Sequence, residues 1–82
     1  MTREANTDTL IHYLVESLVD NPESVEIDRD DSGSSTSYMI TVHPDDVGKV
    51  IGRQGRIIKS LRTLMRAAGS LVDEQVDVDV NG

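Results

Sequence analysis

Two glycines three residues apart, Gly52 and Gly55, stand between two apolar-periodic segments in Val47-Gly48-Lys49-Val50-Ile51-Gly52-Arg53-Gln54-Gly55-Arg56. Glycines so placed predict a tight turn joining two helices. A residue without Cβ takes backbone conformations closed to other residues and lets a bulky ligand reach the main chain. The second helix starts at the turn, so its free N–H groups and the positive end of its dipole face whatever sits there. Phosphate suits such a place. In a chain of 82 residues the Gly-x-x-Gly pattern alone would arise by chance about 0.4 times. Its weight comes from context: apolar Val50 and Ile51 before it, Lys49, Arg53 and Arg56 around it, and an amphipathic run directly after it.

In that run Ile57, Ile58, Leu61, Leu64, Met65 and Ala68 recur at helical spacing and fall within one arc of the wheel. Arg56, Lys59, Arg62 and Arg66 fall on a separate arc, and Gly69 is expected as the C′ stop. An ordinary basic helix face is solvated surface. The distribution of charge along this chain argues for more. Residues 47–69 hold six of the eight basic residues and none of the fifteen acidic ones, in a chain whose net charge is −7. One basic pole on an acidic protein reads as a footprint for a polyanion.

Composition sets the outer limits. A chain of this length is read as one domain with a modest core. It has no cysteine, hence neither a disulfide framework nor a thiolate metal site. No apolar run approaches the roughly 20 residues of a membrane span, and the first six residues lack a signal-peptide pattern. A soluble, cytoplasmic protein with no membrane association is expected. Overall acidity argues against indiscriminate nucleic-acid binding without excluding a local site. With only Tyr13 and Tyr38 aromatic, an aromatic platform for stacking bases is not expected.

Residues 1–6 are read as a frayed, disordered start and residues 7–82 as the domain. Asn6 or Thr7 is expected to cap a first helix whose stripe is Leu10, Ile11, Leu14, Val15, Leu18 and Val19, stopped by Asn21-Pro22. Val25 and Ile27 alternate with acids as in a half-buried strand. The polar turn Asp30-Asp31-Ser32-Gly33-Ser34-Ser35 follows, and Tyr38, Ile40 and Val42 mark a second strand, completing a hairpin. Asp28-x-Asp30-x-Ser32-Gly33 imitates the opening of a calcium loop, but Met39 stands where the bidentate Glu is needed. No metal or other cofactor is expected. Pro44, Asp45 and Asp46 open a short helix before the glycine turn. Val76, Val78 and Val80 alternate with Asp77 and Asp79 in a third strand. The order is α-β-β-α-α-β, an α+β fold with a three-stranded sheet and helices packed on one face.

This order, with Pro44-x-Asp46-x-Gly48-Lys49-Val50-Ile51-Gly52-Arg53-Gln54-Gly55-Arg56 at its centre and Ile58 three positions beyond the second glycine, resembles the prokaryotic type II KH domain. The resemblance covers about residues 7–80. In length the chain is similar to the small bacterial single-KH RNA-binding proteins of the KhpA type. Arg53 stands where lysine is common, keeping the charge and adding a fork suited to phosphate oxygens.

The resemblance implies that residues 52–55 clamp the backbone of about four single-stranded nucleotides. Lys49, Gly52, Arg53, Gln54, Gly55, Arg56 and Lys59 would then contact RNA, and Val50, Ile51 and Ile58 would floor a groove bounded by both helices and the second strand. Such contacts position without specifying sequence. It further implies an RNA chaperone or regulator connected to cell elongation, cell shape and cell wall biogenesis, acting as a homodimer or with a larger Jag-type KH protein. A protein–protein module with little RNA binding is the alternative, supported by any apolar patch at Ile57 and Leu61. An enzyme is not expected: there is no Cys nucleophile, and His12 and His43 stand in separate elements, so no catalytic residue is assigned.

Overall fold

In the computed structural model, which describes residues 7–81, the elements follow the expected order. Helix α1 spans Thr7–Leu18, strands β1 and β2 Glu26–Asp30 and Thr36–Thr41, helices α2 and α3 Val47–Ile51 and Arg56–Ser70, and strand β3 Val76–Val80. A 3-10 turn over Pro44–Asp46 leads into α2. The expected frayed start at residues 1–6, and with it the Asn6 cap, lies outside the described residues.

Alternation within the strands produces a two-layer α+β domain. β2 is central, antiparallel to β1 and parallel to β3. Period-2 patterning turns Tyr38, Ile40, Val76 and Val78 to the helices, where all four are buried. Ile11 and Val15 of α1, Val50 of α2, and Ile58, Leu61 and Met65 of α3 complete the core. The opposite sheet face carries Glu26, Asp28, Asp30, Ser37, Met39, Asp77 and Asp79, all exposed. Helices therefore cover one face only, as the type II KH order requires.

Arg29 was not singled out in the sequence, yet it closes one end of the fold. On the helix side of β1, its guanidinium donates to Asp8 Oδ1 and to the Tyr38 hydroxyl, both at 2.8 Å, and lies 5.7 Å from the Tyr38 ring centroid. The Tyr38 hydroxyl donates in turn to Asp8. Bonds from Tyr38 and Arg29 hold the Asp8 carboxyl below its usual range, while burial and the Asp8 charge push Tyr38 up. Thr7, expected as a cap, is the first residue of α1; its buried hydroxyl lies 2.7 Å from that of Tyr38.

Gly69 departs from expectation. It is no left-handed stop: α3 runs through it, and the positive φ occurs later, at Asp73 (59°). The glycine is there for close approach. A Cβ at this position would lie 2.6 Å from Val76 Cγ2 and 2.7 Å from the Glu74 carbonyl oxygen. The helix end can therefore lie directly against the start of β3.

Candidate nucleic-acid interface

The glycine turn contains three positive-φ residues, with two distinct reasons for glycine. Gly52 ends α2 at φ 78°, ψ 171°, a region open essentially to glycine alone. A Cβ there would meet Ile57 Cγ1 at 2.6 Å and the Ile57 backbone nitrogen at 2.9 Å. The chain thus doubles back over the first turn of α3. Gly55 is left-handed at φ 73°, ψ 19°, and has room for a side chain. Gln54 between them is also left-handed, at φ 58°. Its Oε1 accepts a long bond from Arg56 Nη2, at 3.4 Å. Gly55, at the N-cap of α3, offers no side chain to cap it.

The structure divides the basic pole in two. Arg53, Arg56 and Lys59 are exposed and, among the described residues, form no ion pair. They cluster at the turn and the first turn of α3. Arg62 instead donates Nε–H to the Val78 carbonyl at 2.9 Å and lies 3.6 Å from Asp79, while Arg66 lies 3.5 Å from Asp77. Helical spacing alone made these cations one face; the third strand, brought alongside α3, supplies acids for the farther two.

Lys49 is committed as well. Its ammonium lies 3.0 Å from Asp20 and 3.1 Å from Asp46, and bonds to these two acids raise its pKa. Its side chain keeps 43% of its surface exposed, so it borders the site without being an unpaired charge. Asp46, read from the sequence as an ordinary first-turn acid, is fully buried. Burial opposes its ionisation, but bonds from the Asn21 side chain, Lys49 and the Asp20 and Asn21 amides outweigh it, lowering the pKa to about 2. This carboxylate fastens the chain after α1 to the entrance of α2, and so fixes where the turn sits. The sequence signal was available: an acid between Pro44 and an apolar helix, with Asn21 beside the proline that ends α1.

The apolar floor is narrower than expected. Val50 is fully buried and Ile58 is 7% exposed, so both are core behind the turn; Ile51 keeps partial exposure. β2 is paired on both sides, which excludes a groove along its edge. The strand that packs against α3 with a free edge is β3. A concavity of about 470 Å³ on the open sheet face is lined by Asp28, Asp30, Asp77 and Asp79 around Met39, with Arg62 as the basic residue among them. Its charge makes it inhospitable to a polyanion. Among the described residues no group of acids and histidines is arranged to hold a metal ion, and no helix is long and apolar enough to cross a membrane. Asp30 instead accepts bonds from the Ser32 amide and hydroxyl, closing the hairpin turn. His43 Nδ1 accepts from the Asp45 amide and so caps the turn before α2.

Residues 8–80 match the family model described as KhpA/KhpB, KH domain. The RNA-binding protein KhpA of Oceanobacillus iheyensis is 45% identical over 71 residues, 87% of this chain and 95% of that protein. The protein of the same name from Halalkalibacterium halodurans is 42% identical over 72 residues, 88% and 95%. That of Bacillus subtilis is 35% identical over 80 residues, 98% of each. These relatives are named as RNA-binding proteins and not as enzymes. With the type II KH order, the glycine turn in its strained conformation and a match across nearly the whole chain, this protein belongs to the KhpA/KhpB KH-domain family.

Proposed function

We propose that this chain is a non-catalytic, single-stranded RNA-binding protein that grips the sugar–phosphate backbone at residues 52–55. The carrying observation is the trio Arg53, Arg56 and Lys59, exposed and free of carboxylate partners among the described residues, beside a turn that Gly52 folds closely onto the first turn of α3. Lys49 and Gln54 border the contact, Gly55 shapes it, and Ile51, with a sliver of Ile58, offers apolar surface; Val50 supports them from the core. Residues 7–82 act as one KH domain in the cytoplasm. The names of the relatives support RNA as the ligand class. NMR titration of the native protein with a single-stranded RNA tests the reading. Amide shifts centred on residues 51–59 are expected; shifts centred on the sheet face contradict it.

The family resemblance extends this reading to an RNA chaperone or regulator connected to cell elongation and envelope homeostasis, acting as a homodimer or with a larger Jag-type KH partner. One observation favours a protein-contact role beside RNA binding. Tyr13 is 68% and Leu64 50% exposed, and with Leu14, Leu18 and Ile57 they line a groove of about 300 Å³ between α1 and α3. Ile57 and Leu61 both line this groove, Leu61 buried within it, and Leu64 adds the exposed apolar surface. Sedimentation of the native protein and Leu64→Asp tests it: loss of self-association in the variant supports this face, and unchanged association contradicts it.

A further inference from the structure

The row of cations that starts at the glycine turn does not end at Lys59. Lys59, Arg62 and Arg66 follow one another at i, i+3 and i+7 along one side of α3, neighbours on a helix surface. The first has no acidic partner among the described residues, whereas Asp79 and Asp77 stand opposite the second and third, at 3.6 and 3.5 Å. These two acids are 68% and 63% exposed in their side chains. Among the described residues neither has a further side-chain bond, apart from one from the next amide, Val80, to Asp79. Exposed pairs of this kind hold loosely and are easily exchanged. A phosphate competes well for a guanidinium, because the fork geometry fits its oxygens.

We propose that Asp77 and Asp79 occupy Arg66 and Arg62 as internal stand-ins for phosphate, so that a second backbone-binding segment lies latched beside the loop. The inference rests on the proposed RNA grip at residues 52–55 and concerns how far the strand is held beyond it. A strand entering at the turn meets Arg53, Arg56 and Lys59 directly. Its continuation along α3 has to take two arginines from carboxylates that then repel it. The acids limit both affinity and the number of phosphates engaged. The acidic third strand thereby keeps a small basic pole from holding any polyanion tightly.

The test is fluorescence anisotropy with a labelled single-stranded RNA of about ten nucleotides, enough to pass beyond a four-nucleotide clamp, titrated across a range of salt. Four proteins are compared: native, Asp77→Asn/Asp79→Asn, that pair combined with Arg62→Gln/Arg66→Gln, and a control, Glu16→Gln/Glu23→Gln. The control removes the same charge from exposed positions of α1 and of the turn before β1, outside the concavity that holds Arg62, Asp77 and Asp79. The unlatched pair is expected to bind roughly three- to tenfold tighter. Its slope of log affinity against log salt should steepen by about 1.4, two further phosphates at roughly −0.7 each. The control should gain less and keep the native slope, and the quadruple variant should lose the gain. Should the double variant not fold, Asp77→Asn and Asp79→Asn alone each take its place, with a steepening of about 0.7 expected. An equal gain in the control, an unchanged slope, or a gain that survives loss of the arginines overturns the latch while leaving the loop reading intact. Absence of binding by all four proteins overturns both.

Discussion

The fully buried carboxylate of Asp46 receives the ammonium of Lys49 at 3.1 Å, one turn further along the segment that carries the glycine turn. The same carboxylate takes the Asn21 amide at 3.0 Å and its side-chain nitrogen at 3.1 Å. One acid thus satisfies donors from two distant parts of the chain. Asp46→Ala leaves the Asp20 and Asn21 amides and the Asn21 side chain without this acceptor, while Lys49 keeps Asp20 alone, and buried donors so abandoned are among the costly lesions. The melting temperature of that variant should fall by roughly 10 °C. Lys49→Gln should fall by clearly less, because Asn21 and the Asp20 amide still reach the carboxylate. Thermal denaturation followed by circular dichroism checks the order; equal losses would contradict it.

The same acid sets a pH dependence. Its folded pKa, about 2, lies below the ordinary value of 3.8, and the Asp8 carboxyl is shifted in the same direction by Tyr38 and Arg29. Depressed carboxyls of this kind contribute stability that is fully present above the unfolded value and lost as pH falls through the folded one. Urea denaturation should therefore show stability declining from about pH 4 towards pH 2. The advantage of the native chain over Asp46→Asn should shrink across that window. A difference that stays constant to the acid end would contradict the assignment.

The two glycines of the turn should respond differently to alanine. Gly52→Ala combines a forbidden backbone region with a clash against Ile57, main chain included. A loss of about 2–4 kcal/mol is expected. Gly55→Ala meets only Ile58 Cγ2 at 3.9 Å, so its cost is the left-handed conformation alone, about 1–2 kcal/mol. Gly55→Asn should be milder still, since asparagine tolerates that region. Chemical denaturation midpoints for the three variants check the ranking.

Gly69→Ala opposes two effects of known size. Alanine in a helix interior gains about 1 kcal/mol over glycine. Against that, the new Cβ meets Val76 Cγ2 at 2.6 Å and a backbone carbonyl at 2.7 Å, which cannot swing aside. Overpacking of this sort costs about 1–3 kcal/mol, so net destabilisation is expected. Gly48→Ala is the contrast: nothing lies within 4 Å of its Cβ, and the helical gain of about 0.5–1 kcal/mol should appear unopposed. Equal signs for the two substitutions in an unfolding titration would contradict this account.

What the sequence made legible follows from what is periodic. The alternation Val76, Val78, Val80 and the stripe Ile58, Leu61, Met65 gave strand and helix, because each records burial on one face of a regular element. Gly52 and Gly55 were visible because strain demands glycine. Gly69 was misread as a stop, since a close approach and a left-handed cap leave the same letter. Leu64 kept its place on the apolar arc yet is half exposed, because the arc is wider than the surface the other elements cover. The Asp46, Asn21 and Lys49 assembly and the Arg29, Asp8 and Tyr38 assembly join residues 3 to 30 positions apart, and only the fold brings them together. The same holds for the partners of Arg62 and Arg66 on β3.

One comparison tests the RNA grip most directly: anisotropy of a labelled single-stranded RNA at low salt with the native protein and with Arg53→Asp/Gln54→Asp. Both substituted side chains are exposed at the turn, and Gly52 and Gly55 stay in place. Aspartate also accepts the left-handed conformation of position 54. Two new acids there should repel phosphate. Native binding that is lost in the variant, with unchanged circular dichroism, is the predicted result. Equal binding by the two proteins would contradict the placement of the RNA grip at residues 52–55.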